Sequence, residues 1–426
     1  MKRYETYKDS GVQWLGEIPT HWKVCRVKSI FSHVSGNGFK LMYQGKQEGK
    51  YPFCKASDIN GSEIFVSSAN NYVDDDVAKA EGYNIIPKYS ILFSKIGEAL
   101  KKNHRKINTV PCIVDNNCSA LVNHSTENII YYYYVMRNVD MIWFDNGGVI
   151  PCVNVNKLMA FGLPLPPKEE QEAIVAFLDE KTAEIDGLVS QVEREIELLK
   201  EYKQAEIARV VTHGLNPNAP MKPSGISWIG DIPEHWATRK MKFTFTERSE
   251  KNHPDEPVLC ATQSQGVIPQ SMYDNRVVVV NKGFENLKFV KVGDFVISLR
   301  SFQGGIEYAH YQGIISAAYT VLTPNKAIDP GYARLLMKSH DFIQLLKTCV
   351  TGIREGQNIN YDLLKNKFIP IPPLNEQQEI VDYIDRKTTE IDRLVVELTY
   401  QVEYLKEYKQ RLIADVVTGK INVQPN

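Results

Sequence analysis

The chain has 426 residues, enough for two or three domains with separate cores. Its 43% hydrophobic and 24% charged residues are ordinary for a soluble globular protein. There is no uncharged apolar run long enough for a membrane helix, residues 1–5 lack an apolar signal core, and a net charge of −1 argues at face value against a polyanionic partner.

Taken in chain order, the first feature is a compact motif of Ser10, Gly11, Trp14, Gly16, Ile18, Pro19, His21 and Trp22. It returns as Ser224, Gly225, Trp228, Gly230, Ile232, Pro233, His235 and Trp236. Trp14, Pro19 and Trp22 are expected to form an aromatic-proline plug, with His21 capping or packing inside it rather than acting as a catalyst. An insert of about 140 residues follows, roughly 23–163. It holds short β-rich runs at Ile64-Phe65-Val66 and Ser90-Ile91-Leu92-Phe93, then one apolar helical stretch over 128–144. The Tyr131–Tyr134 run suggests base stacking at first sight, but a helix packing two of those rings into a core is the better reading.

Leu163-Pro164-Leu165-Pro166-Pro167 then leads into a long amphipathic pattern over 168–211. Leu178, Ile185, Val192 and Leu199 recur every seven residues, with Leu188, Ile196 and Tyr202 between them. Such heptads predict a coiled coil of roughly 65 Å at about 1.5 Å per residue. After the second copy of the first motif comes a second insert, roughly 237–369. It has β-rich runs at 277–280 and 294–298 and an apolar helical stretch over 332–348. Ile369-Pro370-Ile371-Pro372-Pro373 then opens the second long helix. Its seam reads Ile384, Ile391, Leu398, Leu405 and Leu412, with Ile380, Leu394 and Tyr408 between. Prolines before each helix set its direction, and Gly214 and Gly419 are placed to end them. Residues 164–212 and 370–418 align at a constant offset of 206 without a gap. The expected fold is therefore α+β: two mixed domains separated by two long helices that pair as an antiparallel coiled coil, in a pseudo-twofold internal repeat.

Charge is split between these parts. Residues 23–160 hold 16 basic and 12 acidic residues, and 237–367 hold 17 and 12. Residues 168–211 hold 6 and 12, and 374–417 hold 6 and 10. The inserts are basic and the helices acidic, so the inserts can face a polyanion despite the overall balance.

Catalytic patterns are missing. The sequence has no phosphate-binding GxxxxGK[ST], no methyltransferase Asn-Pro-Pro-Tyr, no GxSxG and no HExxH. Glu201-Tyr202-Lys203 and Glu407-Tyr408-Lys409 have a Glu-x-Lys spacing also found in nuclease metal sites, but both sit on solvated helix faces. Seven scattered cysteines form no CxxC or zinc-like set, so free thiols and a cytoplasmic setting are expected, with no metal site.

Candidate DNA contacts lie in insert loops: Lys95, Lys101, Lys102, Arg105 and Lys106 in the first, and Arg300, Gln303, Arg354, Gln357 and Asn358 in the second. Arg pairs with guanine O6 and N7, Gln and Asn with adenine N6 and N7, and clustered Lys with phosphate.

The repeated Ser-Gly-x-x-Trp-x-Gly-x-Ile-Pro-x-His-Trp and Pro-Pro-x-x-Glu-Gln frame resembles the specificity (S) subunit of type I restriction-modification enzymes. Glu170-Gln171 and Glu376-Gln377, with Asp179/Asp385 and Ile185-Asp186/Ile391-Asp392, carry the resemblance into the helices, and it spans essentially the whole chain. It implies a non-catalytic, DNA-binding subunit whose two target recognition domains read the halves of a bipartite, asymmetric site. It also implies two methyltransferase (M) subunits using S-adenosylmethionine on adenine, and restriction (R) subunits using ATP and magnesium. This chain would bind no cofactor itself. On this reading the domains are 1–163 and 215–369, and the long helices lie within 164–214 and 370–426. A coiled-coil scaffold with protein-binding inserts is the alternative. A fragment of a self-contained methyltransferase-nuclease would need catalytic motifs before Ser10.

Overall fold

A computed structural model of the protein describes residues 2–61, 63–273, 283–299, 301–351 and 358–424. Two compact units emerge, one from Met1–Gln191 with Gln401–Asn426 and the other from Val192–Tyr400. The division cuts both long helices, Lys168–His213 and Leu374–Val417. Each unit thus holds one insert, the first half of one long helix and the second half of the other.

In the first unit, a five-stranded sheet runs in the order Phe31–Ser35, Cys118–Asn123, Ser90–Ser94, Arg105–Asn108, Phe65–Val66. The first four strands are antiparallel and the last is parallel to its neighbour. In the second unit, a four-stranded antiparallel sheet runs Phe245–Arg248, Thr320–Pro324, Phe295–Ile297, Glu307–Tyr308. Although the insert sequences look unrelated, their central sheets are wired alike. The β-rich run at 277–280 lies outside the described residues.

The proline-rich repeats are neck strands. Gly162–Leu165 pairs antiparallel with Lys23–Arg26, and Phe368–Ile371 pairs with Ala237–Lys240. Each pair forms a two-stranded sheet of its own. A strand with free edges tolerates Pro164 and Pro370, which cannot donate to a ladder. Pro166-Pro167 and Pro372-Pro373 then release the chain into the long helices.

The expected helical stretches over 128–144 and 332–348 are both broken. The first is a helix Ile129–Arg137 followed by a 3-10 turn Met141–Phe144. The second is two helices, Pro330–Lys338 and His340–Lys347, split where the Ser339 hydroxyl caps the latter by accepting from Phe342 N. Asn128 and Asp329 cap the first helix of each stretch. Apolar periodicity continues through these interruptions because the same core is being covered.

All four tyrosines of 131–134 are buried, where two were expected. Their helix is wedged between the insert and both long helices. Tyr131 OH donates to Val417 O (3.2 Å), Tyr132 OH to Pro164 O (3.3 Å), Tyr133 OH to Arg105 O (3.4 Å) and Tyr134 OH to Asp179 Oδ1 (2.6 Å). None is free to stack on a base.

Helix pairing is antiparallel within each unit. In the first, Tyr131–Tyr134 links the level of Val417 to that of Asp179, and Lys409 meets Asp186 at 2.6 Å. In the second, Tyr332 OH reaches Val211 O (2.8 Å), Arg334 reaches Asp385 (2.9 Å) and Lys203 meets Asp392 at 2.6 Å. Leu178, Ile185, Val192, Ile384 and Ile391 are buried, and Leu199, Leu398 and Leu405 are half-buried.

Of the intervening positions, Ile196 and Ile380 are buried as expected and the other four need correction. Leu188, Tyr202, Leu394 and Tyr408 are exposed, while Val189 and Val402 are buried. The second seam row lies four residues after the heptad row, at Thr182, Val189, Ile196 and Lys203, and again at Thr388, Val395, Val402 and Lys409. From the heptad row a step of four falls about 40° to one side and a step of three about 60° to the other, and the pairing face lies on the side of the longer step, so Val189 packs and Leu188 turns outward.

Candidate nucleic-acid interface

The frame that holds each insert is built on the first turn of a long helix. Glu170 accepts the indole N–H of buried Trp22 (2.8 Å) and the Tyr4 hydroxyl (3.1 Å), and its other oxygen lies 2.5 Å from His21 Nε2. Glu376 repeats this with Trp236 (3.0 Å) and His235 (2.7 Å). The neighbouring glutamine does the other half of the work. Gln171 Oε1 accepts Asn128 N (3.1 Å), and Gln377 Oε1 accepts Asp329 N (2.6 Å), so each fixes the start of an insert helix.

Burial makes these bonds matter, since an unpaired buried N–H costs about 1–3 kcal/mol. Gly419 and Gly214 end the long helices at positive φ (+75° and +78°) directly against Trp22 and Trp236. A Cβ on Gly419 would sit 2.4 Å from Pro19 Cδ, so only glycine fits. The expected plug is therefore Trp22 with Pro19. Trp14 instead stacks on Phe161 (centroids 5.6 Å apart) and donates to Gly162 O at the neck.

The predicted DNA-contacting residues separate by environment. Lys95 and Lys102 are accessible; Lys95 Nζ lies 3.2 Å from Ser35 Oγ. Lys101 is exposed but paired with Glu98 at 2.6 Å. Lys106 is buried, with its ammonium 3.6 Å from Glu63. Arg105 is corrected. Its side chain is fully buried and donates to Asn103 O (3.1 Å), Asn103 Oδ1 (3.0 Å) and Val139 O (2.5 Å), while its Nε has no partner. Burial pushes its pKa down to about 9, with nearby Arg137 adding to the shift. It braces the loop from inside and cannot reach a phosphate.

In the second insert, Gln303 is exposed on the one-turn helix Ser301–Gly304, and exposed Asn358 pairs with Thr351 in a short ladder. Arg300, Arg354 and Gln357 lie outside the described residues. The structure thus groups Lys101 and Lys102 on one loop but leaves Lys95 on a different strand end.

Sequence reasoning missed one cation and one imidazole. Arg137, at the end of the tyrosine helix, and His104 line one cavity with Lys102. Arg137 is 35 residues from Lys102, and no local pattern joins them. The one available signal was its place in the last turn of a capped helix, where a cation is favoured.

Among the described residues, no group of three or more His, Cys, Asp or Glu is placed to hold a metal ion. All seven cysteines are free thiols. No helix among the described residues is long and apolar enough to cross a membrane.

Comparison with known proteins gives concordant results. A family model described as "Type I restriction modification DNA specificity domain" matches residues 19–198 and again 222–403. The putative type I restriction enzyme MjaX specificity subunit of Methanocaldococcus jannaschii is 26% identical over 439 residues, covering 96% of each chain. The EcoKI specificity subunit of Escherichia coli is 20% identical, covering 96% of this chain and 91% of that one. Among solved structures, a chain from work on complex assembly and conformational transition of the type I R-M system matches with a TM-score of 0.67 at 16% identity, covering 95% of this chain and 99% of that one. The HsdS subunit from Thermoanaerobacter tengcongensis matches with a TM-score of 0.55, also at 16% identity, covering 95% and 98%. The two structures support the fold. The double family match, one per repeat and together covering most of the sequence, places this chain in the family of type I restriction-modification DNA specificity subunits.

Proposed function

We propose that the two inserts, within 1–163 and 215–369, each read one half of a bipartite, asymmetric DNA target, and that the paired helices set the separation of the halves. The observation that carries this is the repeated frame. Glu170 with Trp22 and Glu376 with Trp236 fasten two inserts of like sheet topology but different loops onto the same kind of helix start. Shared positions suit a partner that is the same on both sides, and unshared loops suit two different half-sites.

Two M subunits are the repeated partner in this reading, one per frame. They bring S-adenosylmethionine and methylate adenine. R subunits bring ATP and magnesium when the DNA is cleaved. The chain's own residues bind and orient the duplex: lysines grip phosphates, which makes affinity fall steeply with salt, and side chains such as Gln303 and Asn358 address base edges. Methylation needs the adenine turned out of the stack at a cost of a few kcal/mol. Holding duplex on both sides of the M subunits helps to offset that cost.

The test is to co-express the chain with its M partner and map methylated adenines across a genome. One bipartite motif is expected. Methylation without sequence restriction, or none above background, overturns the reading. Exchanging residues 23–163 for another family insert should change one half of the motif and leave the other intact.

A further inference from the structure

In the first unit, a cavity of about 420 Å³ opens between the first insert and the second long helix. Lys102, His104 and Arg137 line it from the insert, and Gln410 and Ile413 close it from the helix. Among the described residues, no carboxylate lines it.

Other lysines of the unit that lie near carboxylates are paired with them. Lys40 pairs with Glu81, Lys46 with Asp74, Lys50 with Asp75, Lys101 with Glu98 and Lys106 with Glu63. Among the described residues, Lys102, His104 and Arg137 form no ion pair, yet they converge on one space. Burial, Arg137, Lys102 and Lys106 together hold the His104 imidazole below its usual pKa, as expected of a hollow with surplus positive charge.

The wall is braced from behind. Buried Arg105 ties down the Asn103 carbonyl and side chain, and the Asn103 amide donates to Val139 O (3.3 Å). Residues 102–104 are therefore held without help from a ligand.

The second unit supplies a contrast. Lys338 stands nine residues after the cap Asp329, as Arg137 stands nine after the cap Asn128. There Glu307 lies 2.7 Å from the Lys338 ammonium, and Gly304 O (2.9 Å) takes another of its protons. The same helix end is bonded internally in one unit and left without an ion pair in the other.

We infer that this cavity is an anion site that takes one backbone phosphate of the DNA duplex, with Arg137 and Lys102 as its donors and His104 at its wall. The inference rests on the DNA-specificity reading above. A guanidinium offers a fork of N–H donors to two phosphate oxygens, and a lysine adds a point charge. Phosphate contact of this kind fixes the register of the duplex and carries no base information.

The test uses the complete complex with its M subunits. Affinity is measured against salt for a duplex carrying the mapped motif and for one with both half-sites scrambled. Arg137→Ala and Lys102→Ala should each weaken both duplexes alike and reduce the slope of log K against log salt by about 0.9. Arg137→Lys should keep the slope, which separates charge from folding, and Lys46→Ala should leave it unchanged. Thermal melting checks that each variant is folded. An unchanged slope in folded Arg137→Ala and Lys102→Ala overturns the site. So does a loss confined to the motif duplex, which would mean base readout, or weakened M-subunit association at constant slope, which would mean an acidic protein segment. A wild-type complex that binds duplex but methylates without sequence restriction overturns the functional reading, while the slope measurement still decides the phosphate site.

Discussion

The Lys203 ammonium lies 2.6 Å from both carboxylate oxygens of Asp392 in the second unit. Lys409 repeats this with Asp186 in the first, at 2.7 and 2.6 Å. Both lysines occupy seam positions of their heptads, where an apolar residue would pack as well. A polar residue in a seam selects one register at some cost in stability.

A double-mutant cycle on Lys203→Ala and Asp392→Ala tests the lock. The lysine side chain is 24% exposed and the aspartate 61%, so solvent screens the pair. A coupling energy of about 0.5–1 kcal/mol is expected from denaturant unfolding. Lys203→Asp alone should destabilise, and adding Asp392→Lys should restore stability. Zero coupling would remove the pair from any role in register.

Glu170→Ala should cost about 2–3 kcal/mol, because it strands the buried Trp22 indole N–H and the Tyr4 hydroxyl together. Glu376→Ala strands only Trp236 among indole and phenol donors and should cost less. Unfolding of the two variants, compared side by side, checks the order.

These two glutamates show what the sequence makes legible. Glu-Gln after Pro-Pro and His-Trp after Ile-Pro are readable as repeats because both copies must meet the same partner across a long loop. The contact between Trp22 and Glu170 itself spans 148 residues and has no local signature. The long helices were readable from their seven-residue step, since Leu178 and Ile185 face one way. Part of their second seam row reads one residue early, because Leu188 is more apolar in type than its role requires, while Val189 does the packing. Arg105 looked like a groove contact because it sits among lysines. Strand pairing with Phe93 turns its side chain inward, which sequence proximity does not reveal.

Arg105→Met should therefore destabilise the first unit by about 1–3 kcal/mol through the lost bonds to Asn103 and Val139. The folded variant should keep the salt slope of DNA binding. A slope lowered by a full phosphate would mean that the guanidinium reaches DNA after all.

Glu307 gives a pH prediction. Burial raises its pKa from the ordinary 4.5 to about 7, against the lowering pull of Lys338. The native state holds the proton where the unfolded chain has lost it. This contribution to stability is full below pH 4.5 and is lost as pH rises through 7. Relative to Glu307→Gln, the wild type should lose roughly 1–3 kcal/mol between pH 4.5 and pH 8. Parallel stability curves for the two proteins across that window would refute it.

Chain ends can be relocated. Asn422 N donates to Lys2 O (2.9 Å), so the two ends of the chain lie side by side in the first unit. Joining them with a short linker and opening the exposed turn at Asn216–Asn218 should yield a folded chain with the same methylation motif. Loss of that motif in a folded permutant would show that the covalent order matters.

The neck strands have a consequence for how such a protein changes its target. An insert leaves its frame at Lys23–Arg26 and re-enters at Gly162–Leu165, two strands that pair with each other as a two-stranded sheet. Entry and exit are adjacent, so genetic recombination cutting at both points can replace a whole cartridge while the helices and their glutamate anchors are inherited unchanged. New half-site vocabularies can then arise in one step, without the destabilised intermediates that residue-by-residue drift would have to cross.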